Sequence, residues 1–365
     1  MIDDCAKRMN YRLQEIATNK LEMDAKDEVS SFTMSVIAET LFGIRMDDDM
    51  EKAQIFIEKS KKAFEEFSLS NPMLWICFLF PSARTILESL GIGLLSKDCM
   101  EFFKSQVLSI IELRRRTAEK SDDFLQLLID AHANDEANKD YHVISGNKWK
   151  DVKKRALTEE EIVANCVLFF LAGFETTSLT VAWIVHLLSV HQDVQHKLFE
   201  EIDATIQKNE PLTIDSISRL NYLEQILNET LRLYPVAART DRVCNENCVV
   251  GPYHIPKGMV LNLGIRAVHL DEEYWHEPNH FDPERFSPER KHQIVPYSYF
   301  PFGLGPRNCI GMRLALLEVK ICVIRLIEEF KILRSPKTEE FPKMKTNVGL
   351  TAPINGFWIC LDKRN

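Results

Sequence analysis

The sequence predicts a mainly α-helical fold with a small amount of β-structure. Apolar residues recur at three- and four-residue spacing in segments such as Ser30–Phe42 and Glu51–Phe67, which is the pattern of amphipathic helices. No proline interrupts the stretch from Thr158 to His191, which could form one helix of about 45–50 Å at the usual rise per residue. Strand-like segments with Gly-Pro turns begin only after Pro235.

The composition is that of an ordinary globular protein. The chain has 365 residues, 45% of them hydrophobic and 27% charged, which excludes disordered, collagen-like and low-complexity classes. This length fits one large domain or two smaller ones and can enclose a large ligand. Acidic residues outnumber basic residues 54 to 45, giving a net charge of −9, so no nucleic acid partner is expected.

The elements follow in a definite order. A capping box, with Thr158 as N-cap and Glu161 three residues later, predicts the start of the long helix after a polar surface loop over His132–Arg155. Further helices are predicted at Met9–Leu21, Val194–Ile206, Ile214–Tyr234 and Met312–Phe330. Strands are predicted at Cys248–Val250 and Met259–Leu263, with a late hairpin that pairs Gly349–Ala352 with Phe357–Leu361.

The aromatic segment Met73–Phe80 carries no charge and is flanked by prolines. It is either a core segment or an exposed apolar surface that contacts a membrane or admits a substrate. Like Val167–Phe174, it falls short of the roughly 18 apolar residues of a membrane span. The chain start lacks the order of a signal peptide and resembles the middle of a polar helix, which predicts a truncated or alternative start.

The cysteines predict reduced thiols in a chain that faces the cytosol. Nine cysteines are scattered without the spacing of a disulfide framework. Cys244 and Cys248, with His254 nearby, raise the alternative of a zinc site. That alternative is disfavoured because the usual Cys-x-x-Cys spacing and a second pair are both missing.

One cysteine stands immediately before a predicted helix. Cys309 follows a loop with Gly303 and Gly305, and Gly311 comes between it and the helix. A helix N-terminus stabilises a thiolate, which suits this residue to act as a nucleophile or metal ligand. The glycines leave a clearing that fits a planar cofactor, although a lone cysteine before a helix is most often structural.

The pattern Phe-x-x-Gly-x-Arg-x-Cys-x-Gly, met from Phe302 to Gly311, resembles the haem-binding loop of the cytochrome P-450 family. The resemblance implies that Cys309 is the axial thiolate ligand of haem iron, whose electron donation favours cleavage of the O–O bond. It further implies that Arg307 and Arg242 bind the haem propionates. The remaining residues implied to contact the cofactor are Phe302, Gly303, Gly311 and Ala172.

Three further segments resemble the same family, and the third is the strand region in which Arg239 and Arg242 follow Pro235. Ala172-Gly173-Phe174-Glu175-Thr176-Thr177 resembles the helix above the iron, which implies that Thr176 binds dioxygen or water and that Glu175 supplies protons. The residues implied to line the substrate pocket are Leu168, Ala172, Val236 and Ala237. In the second segment, Glu229-x-x-Arg232 and Pro283-Glu284-Arg285-Phe286 imply a buried structural network of Glu229, Arg232 and Arg285.

The segments Gly305–Leu316, Phe281–Phe286 and Tyr253–Gly258 resemble the microsomal drug- and steroid-oxidising branch that includes thromboxane synthase. The resemblance implies one cytochrome P-450 domain over residues 1–365, incomplete at its N-terminus. Its minor β regions are expected near 235–270 and 331–365. The branch's membrane anchor, first strands and early helices, and its Trp-x-x-x-Arg pair, have no counterpart here. The implied location is the cytosolic face of the endoplasmic reticulum membrane, with peripheral membrane contact.

The resemblance implies a monooxygenase that inserts one atom of O2 into a lipophilic small molecule. Its electrons would come from an NADPH-dependent cytochrome P-450 reductase, with cytochrome b5 as a further partner. One alternative is a peroxide isomerase or dehydratase of the thromboxane-synthase type, which Thr176 disfavours because a peroxide brings its own oxygen. The other is a haem-free fragment with a binding role.

Overall fold

The computed structural model describes residues 1–45, 50–66, 76, 96–117, 121–137, 157–207, 211–345 and 350–364. The helices are α1 (Ile2–Thr18), α2 (Ala25–Phe42), α3 (Met50–Glu66), α4 (Lys97–Thr117), α5 (Phe124–Ala137), α6 (Glu159–Val190), α7 (Gln192–Thr205), α8 (Ile214–Ser218), α9 (Asn221–Leu233), α10 (Ile265–His269) and α11 (Met312–Glu329). The strands are β1 (Met23–Asp24), β2 (Thr240–Val243), β3 (Cys248–Val250), β4 (Tyr253–Ile255), β5 (Val260–Leu263), β6 (Phe330–Arg334) and β7 (Trp358–Lys363). The predicted fold class, mainly α with small sheets, is confirmed. Apart from Ile76, the segment Met73–Phe80 lies outside the described residues.

The chain forms two compact units. The first combines Met1–Phe32 with Thr176–Asn365, and the second consists of Thr33–Glu175. Helix α6 contributes to both, with the boundary between Glu175 and Thr176. Each unit has its own apolar core.

Aromatic side chains form the core of the second unit. The rings of Phe56, Phe103 and Phe170 pack with centroid distances of 5.5–6.1 Å at tilted or edge-to-face angles, the arrangement that aromatic quadrupoles favour. Beside them, Arg114 donates to the Asp123 carboxylate at 2.9 Å and to the Phe42 carbonyl at 2.9 Å. This pair ties the start of α5 to the end of α2.

The predicted capping box at the start of α6 is confirmed. The Thr158 amide donates to Glu161 Oε2 at 2.9 Å, and the Glu161 amide donates to Thr158 Oγ1 at 3.2 Å. The start of the predicted polar loop over His132–Arg155 is wrong, because α5 continues to Ala137; the rest of that prediction lies outside the described residues. By length and composition alone, α6 could cross a membrane. More than half of its most apolar stretch is buried inside the protein, as in a core helix, so this is weak evidence for a span.

Helix α1 packs on α11 in the first unit. Arg325 donates two hydrogen bonds to the Asp3 carboxylate, at 2.6 and 2.9 Å, and Asn10 donates to the Arg325 carbonyl at 2.6 Å. Gln195 on α7 holds the sheet against the helices, because its side chain both accepts from and donates to the backbone of Ile332. The C-terminal end of α11 is therefore fixed on two sides.

The predicted late hairpin is wrong. Strand β7 pairs with β6 on one side and β1 on the other, giving the antiparallel order β1-β7-β6. Both edges of β7 are thus occupied, and Leu350 bridges to Ala237 instead. Thr351 is anchored near this bridge by bonds to the Pro235 carbonyl at 2.6 Å and from the Trp183 indole at 2.8 Å.

The segment Ile214–Tyr234, predicted as one helix, forms the two helices α8 and α9. The break occurs because the Glu201 carboxylate accepts from the amides of Tyr222 and Leu223 at 2.7 and 3.0 Å. An external carboxylate at these first-turn amides caps a new helix N-terminus. The predicted strands are confirmed: β2 pairs with β5 and β3 with β4, both antiparallel.

Replacing Glu318 on α11 with Gln should stabilise the protein more at pH 8 than at pH 5. This side chain is 2% exposed, its Oε2 has no partner among the described residues, and burial raises its pKa well above the usual value. The folded state therefore retains a proton that the unfolded chain releases, so stability falls as pH rises from about 4.5 towards the folded pKa.

Thermal unfolding of Glu318→Gln and wild type across this pH range measures the difference. The exposed Glu289 provides the control substitution, Glu289→Gln, which should leave the pH profile unchanged. An identical pH slope for wild type and Glu318→Gln would contradict the expectation.

Candidate functional site

The first unit contains a cavity of about 240 Å³ below the loop that precedes α11. Its walls come from α6, α9, α11, the segment that follows α9, and the cysteine loop, defined here as residues Phe300–Gly311. Apolar side chains Ala315, Leu316 and Val319 of α11 supply one wall. The predicted site residues that line it are Thr176, Val236, Ala237, Phe302, Gly303, Arg307 and Cys309.

Backbone hydrogen bonds shape the cysteine loop. The Cys309 amide donates to the Phe302 carbonyl at 2.9 Å, and the Gly303 amide donates to the Phe300 carbonyl at 2.9 Å. Gly303 and Gly305 adopt φ values of +73° and +79°, a region in which side chains are strained. The glycines therefore allow the chain to turn back so that Cys309 faces the cavity before α11 begins.

The loop suits a planar group held through sulfur. Cys309 is exposed, and a Cβ added at Gly305 or Gly311 would meet no atom within 4 Å. No cluster of three or more His, Cys, Asp or Glu side chains that could hold a metal ion occurs among the described residues. Thiolate is a ligand of haem iron, and the exposed sulfur of Cys309 lies beside glycines that leave room for a planar group. The residues present fit haem.

Other predicted site residues lie outside the cavity lining. Arg242 on β2 turns back along its own strand and donates to Thr240 Oγ1 at 3.0 Å and to the Asp241 carbonyl at 2.8 Å. Gly311 is the N-cap residue of α11. Leu168, Ala172 and Glu175 belong to the second unit, where Leu168 and Ala172 are exposed.

Sequence reasoning assigned no role to four polar residues that line the cavity, namely Thr177, Thr180, Arg239 and Thr240. Thr180 follows Thr176 by four residues, and this spacing places both on one helix face. That signal was present in the sequence. Arg239 had no comparable signal, because it lies on an irregular segment between α9 and β2.

A buried ion network lies beside the cysteine loop. Glu229 and Arg232 are both 0% exposed, and Arg232 forms two hydrogen bonds to the Glu229 carboxylate, at 2.7 and 2.8 Å. Arg285 donates to the same carboxylate at 3.3 Å, and the Asp282 amide donates at 3.0 Å. Burial raises the pKa of Glu229, while the hydrogen bonds from Arg232 and the Asp282 amide oppose that rise.

The two arginines also bind backbone carbonyls. Arg232 donates to the carbonyls of His269 and Pro278 at 2.9 and 2.8 Å. Arg285 donates to those of His276 and Glu277 at 2.6 and 2.9 Å. A planar guanidinium has several fixed donors, so each arginine holds an irregular segment to the end of α9.

His269 connects this network to the cysteine loop. The Phe300 amide donates to His269 Nε2 at 2.9 Å, and His269 Nδ1 lies 3.2 Å from the Arg232 carbonyl. An imidazole that accepts at Nε2 carries its proton on Nδ1, so it donates to Arg232. Burial lowers the pKa of His269 to about 4, which keeps the ring neutral and the Phe300 bond intact at physiological pH.

Comparison with known proteins gives a family for this chain. The family model described as Cytochrome P-450 matches residues 1–361. Cytochrome P-450 3A13 of Mus musculus is 39% identical over 331 residues, which cover 90% of this chain and 63% of the relative. Cytochrome P-450 3A1 of Rattus norvegicus is 38% identical over 346 residues, which cover 94% of this chain and 66% of the relative.

The chain belongs to the cytochrome P-450 family. The family resemblance drawn from the cysteine loop is thereby confirmed, as is the branch. Cytochrome P-450 proteins are haem-iron monooxygenases, so the predicted cofactor is that of the family. The chain spans slightly less than two thirds of the length of these curated relatives.

In this cytochrome P-450 chain, Glu229→Gln should lower the free energy of unfolding by about 3–5 kcal/mol, the usual cost of breaking a buried ion pair. The substitution leaves the Arg232 guanidinium buried without a counter-charge. Denaturant unfolding measures the loss. The exposed pair Arg219–Asp215 has the same kind of partners, so Asp215→Asn is the control and should change stability little. Equal effects of the two substitutions would contradict the assigned role.

His269→Leu should increase hydrogen exchange at the Phe300 amide by ten- to a hundredfold, roughly the effect of losing one buried acceptor. Amides in the middle of α11 should change much less, because the contact is local. Native-state exchange measured by NMR or mass spectrometry separates these sites. The exposed His276 gives the control, His276→Leu, and a uniform increase across the chain would contradict a local role for His269.

Proposed function

We propose that this chain is a haem-thiolate monooxygenase that inserts one atom of O2 into a lipophilic small molecule. The observation that supports it most is that Cys309 and Thr176 line one cavity. A soft metal ligand and a hydroxyl group thus face the same apolar space. Membership of the cytochrome P-450 family supports a role for Cys309 as the ligand of haem iron and for Thr176 as the residue that binds dioxygen or water.

On the loop side, Cys309 would hold the iron as a thiolate, and the N-terminus of α11 favours that negative charge. Phe302, Gly303 and Gly311 would contact the haem on the same side. When bound, haem supplies the iron at which O2 is activated, and thiolate electron donation favours O–O cleavage. Arg307 lines the cavity and would bind one propionate, whereas Arg242 would have to leave its contacts with β2 to bind the other.

On α6, Thr176 would donate a hydrogen bond to bound dioxygen or water, and Glu175 would supply protons to it. Ala172 precedes Thr176 by four residues and would leave space because its side chain is small. These assignments require side chains that can give up and regain a proton near a dry site. A hydroxyl relays a proton without carrying a permanent charge into the cavity.

The lining of the cavity favours an apolar substrate. Val236 and Ala237 present small aliphatic surfaces on the segment after α9, and Leu168 is an exposed apolar side chain on α6. Such surfaces select for lipophilic ligands and discriminate weakly among them. The proposed substrate class is therefore a lipophilic small molecule.

We assign the electron donor to an NADPH-dependent cytochrome P-450 reductase, with cytochrome b5 as a second donor. The loop around Cys309 is exposed, and Arg307 and Arg313 are exposed beside it. Positive charge on this face suits an acidic redox partner, since complementary charges speed association. By family, the proposed location is the cytosolic face of the endoplasmic reticulum membrane.

Cys309→Ala should abolish the red-shifted Soret band that wild type gives after haem supplementation, reduction and exposure to carbon monoxide. It should also abolish oxidation of lipophilic substrates in the presence of reductase and NADPH. Cys248→Ala is the control, because that cysteine is exposed like Cys309 but does not line the cavity. Absorption spectra and product analysis measure both effects.

Three outcomes would overturn parts of the proposal. Substrate oxidation by Cys309→Ala at the wild-type rate would remove this residue as the ligand. Rearrangement of a fatty-acid peroxide without NADPH or reductase would favour the isomerase. Failure of wild type to bind any haem would favour the haem-free binding role.

Thr176→Ala should lower the product formed per NADPH consumed, because the hydroxyl that directs protons is lost. Thr176→Ser keeps that hydroxyl and should restore most of the coupling. Parallel measurement of NADPH consumption and product gives the ratio. Equal coupling in wild type and Thr176→Ala would contradict the assigned role of Thr176.

A further inference from the structure

Two thiols meet at the surface of the first unit, away from the cavity lining. The sulfur atoms of Cys244 and Cys248 lie 3.6 Å apart, and neither residue lines the cavity. Cys248 is exposed and Cys244 is half-buried. A disulfide needs sulfurs about 2.05 Å apart, so the two sulfurs stand about 1.5 Å from bonding distance.

The surrounding backbone holds both cysteines in place. Cys244 follows β2 and pairs with the end of the opposite strand, since its amide donates to the Met259 carbonyl at 2.9 Å and its carbonyl accepts from Gly258 at 2.7 Å. Cys248 begins β3 and pairs with Ile255 on β4. The intervening loop is fixed by a bond from the Lys257 amide to the Asn247 side chain at 2.8 Å.

Accessibility separates this pair from the buried cysteines of the chain. Cys166 and Cys322 are fully buried, and burial raises the pKa of Cys166 to about 12. Thiols of that kind do not react with solutes. The hydrogen bond with Cys244 raises the pKa of the Cys248 thiol, so the thiolate is the minor form at neutral pH and exchange becomes faster only as pH rises.

We propose that Cys244 and Cys248 form a thiol–disulfide exchange site for small disulfides such as oxidised glutathione. The thiolate of Cys248 attacks one sulfur of the small disulfide, forms a mixed disulfide and releases the first small thiolate. The thiolate of Cys244 then attacks the Cys248 sulfur and releases the second. The protons of the two protein thiols pass to the released thiolates. The protein pair loses two electrons, and the small disulfide gains them.

The resulting bond would be readily reversible. It closes a very short loop, so it removes little entropy from the unfolded chain and gains little stability by that route. It would join the β2–β5 strand pair to the hairpin formed by β3 and β4. Such a bond responds to the redox state of its surroundings, whereas a structural disulfide resists reduction.

The test equilibrates the 365-residue chain in buffers of fixed oxidised-to-reduced glutathione ratio, followed by acid quenching, alkylation and peptide mass spectrometry. Wild type should show an internal Cys244–Cys248 disulfide. Cys244→Ser should stop at the mixed disulfide on Cys248, and Cys248→Ser should react more slowly because its remaining sulfur is half-buried. Cys360 serves as an internal reference, because it is half-buried like Cys244 and should form only a mixed disulfide.

A second measurement tests whether the folded structure, rather than the short sequence separation alone, brings the two sulfurs together. The effective concentration of one sulfur towards the other should be at least about tenfold higher in native protein than in urea, because the strands pre-organise the pair. An equal value in both states would overturn the proposal. So would wild type that accumulates only the mixed disulfide on Cys248, or that leaves both thiols unmodified while Cys360 reacts.

Discussion

The carboxylate of Glu229 is the contact on which the geometry of the first unit depends most. It receives hydrogen bonds from Arg232, from Arg285 and from the Asp282 amide within a fully buried site. Through these arginines, it fixes the carbonyl of His269 at the end of α10 and the carbonyls of residues 276, 277 and 278, which lie on a segment with little regular structure. Irregular segments lack the backbone ladders of helices and sheets, so side chains must hold them.

Such a network contributes more to the positions of the segments that it binds than to the free energy of unfolding. Removing two charges from water costs several kcal/mol per ion. Their attraction offsets that cost only when every hydrogen-bond donor of the pair has an acceptor. The donors of Arg232 find the carboxylate and the carbonyls of His269 and Pro278. An apolar cluster of the same volume would pack as well but would not fix the direction of each segment.

The site combines a rigid support with an exposed face. His269 links Arg232 to the cysteine loop, because its ring hydrogen-bonds both the Arg232 carbonyl and the Phe300 amide. The loop beyond Phe300 turns at two glycines with positive φ. The support lies behind the loop, while Cys309 and its neighbours remain exposed. Hydrogen bonds from the Cys309 and Gly303 amides to carbonyls of the same loop set its shape, so the exposed loop is already formed for a large planar ligand, and preorganisation reduces the cost of binding. The thiol pair at Cys244 and Cys248 shows the same principle, since the β2–β5 strand pair and the hairpin formed by β3 and β4 present it.

The sequence by itself determined the features whose causes are local. Thr158 and Glu161 fix the start of α6 through bonds within one turn, and the glycines around Cys309 encode the turn of its loop. The cysteine-loop motif also identified the family. Tertiary structure decided the features that depend on distant partners. Glu201 caps α9 and so divides a segment predicted as one helix, and β7 pairs with β6 instead of forming the predicted late hairpin. Tertiary structure also brought Arg239 to the cavity while Arg242 turned towards its own strand, because side-chain direction follows from packing between segments far apart in sequence.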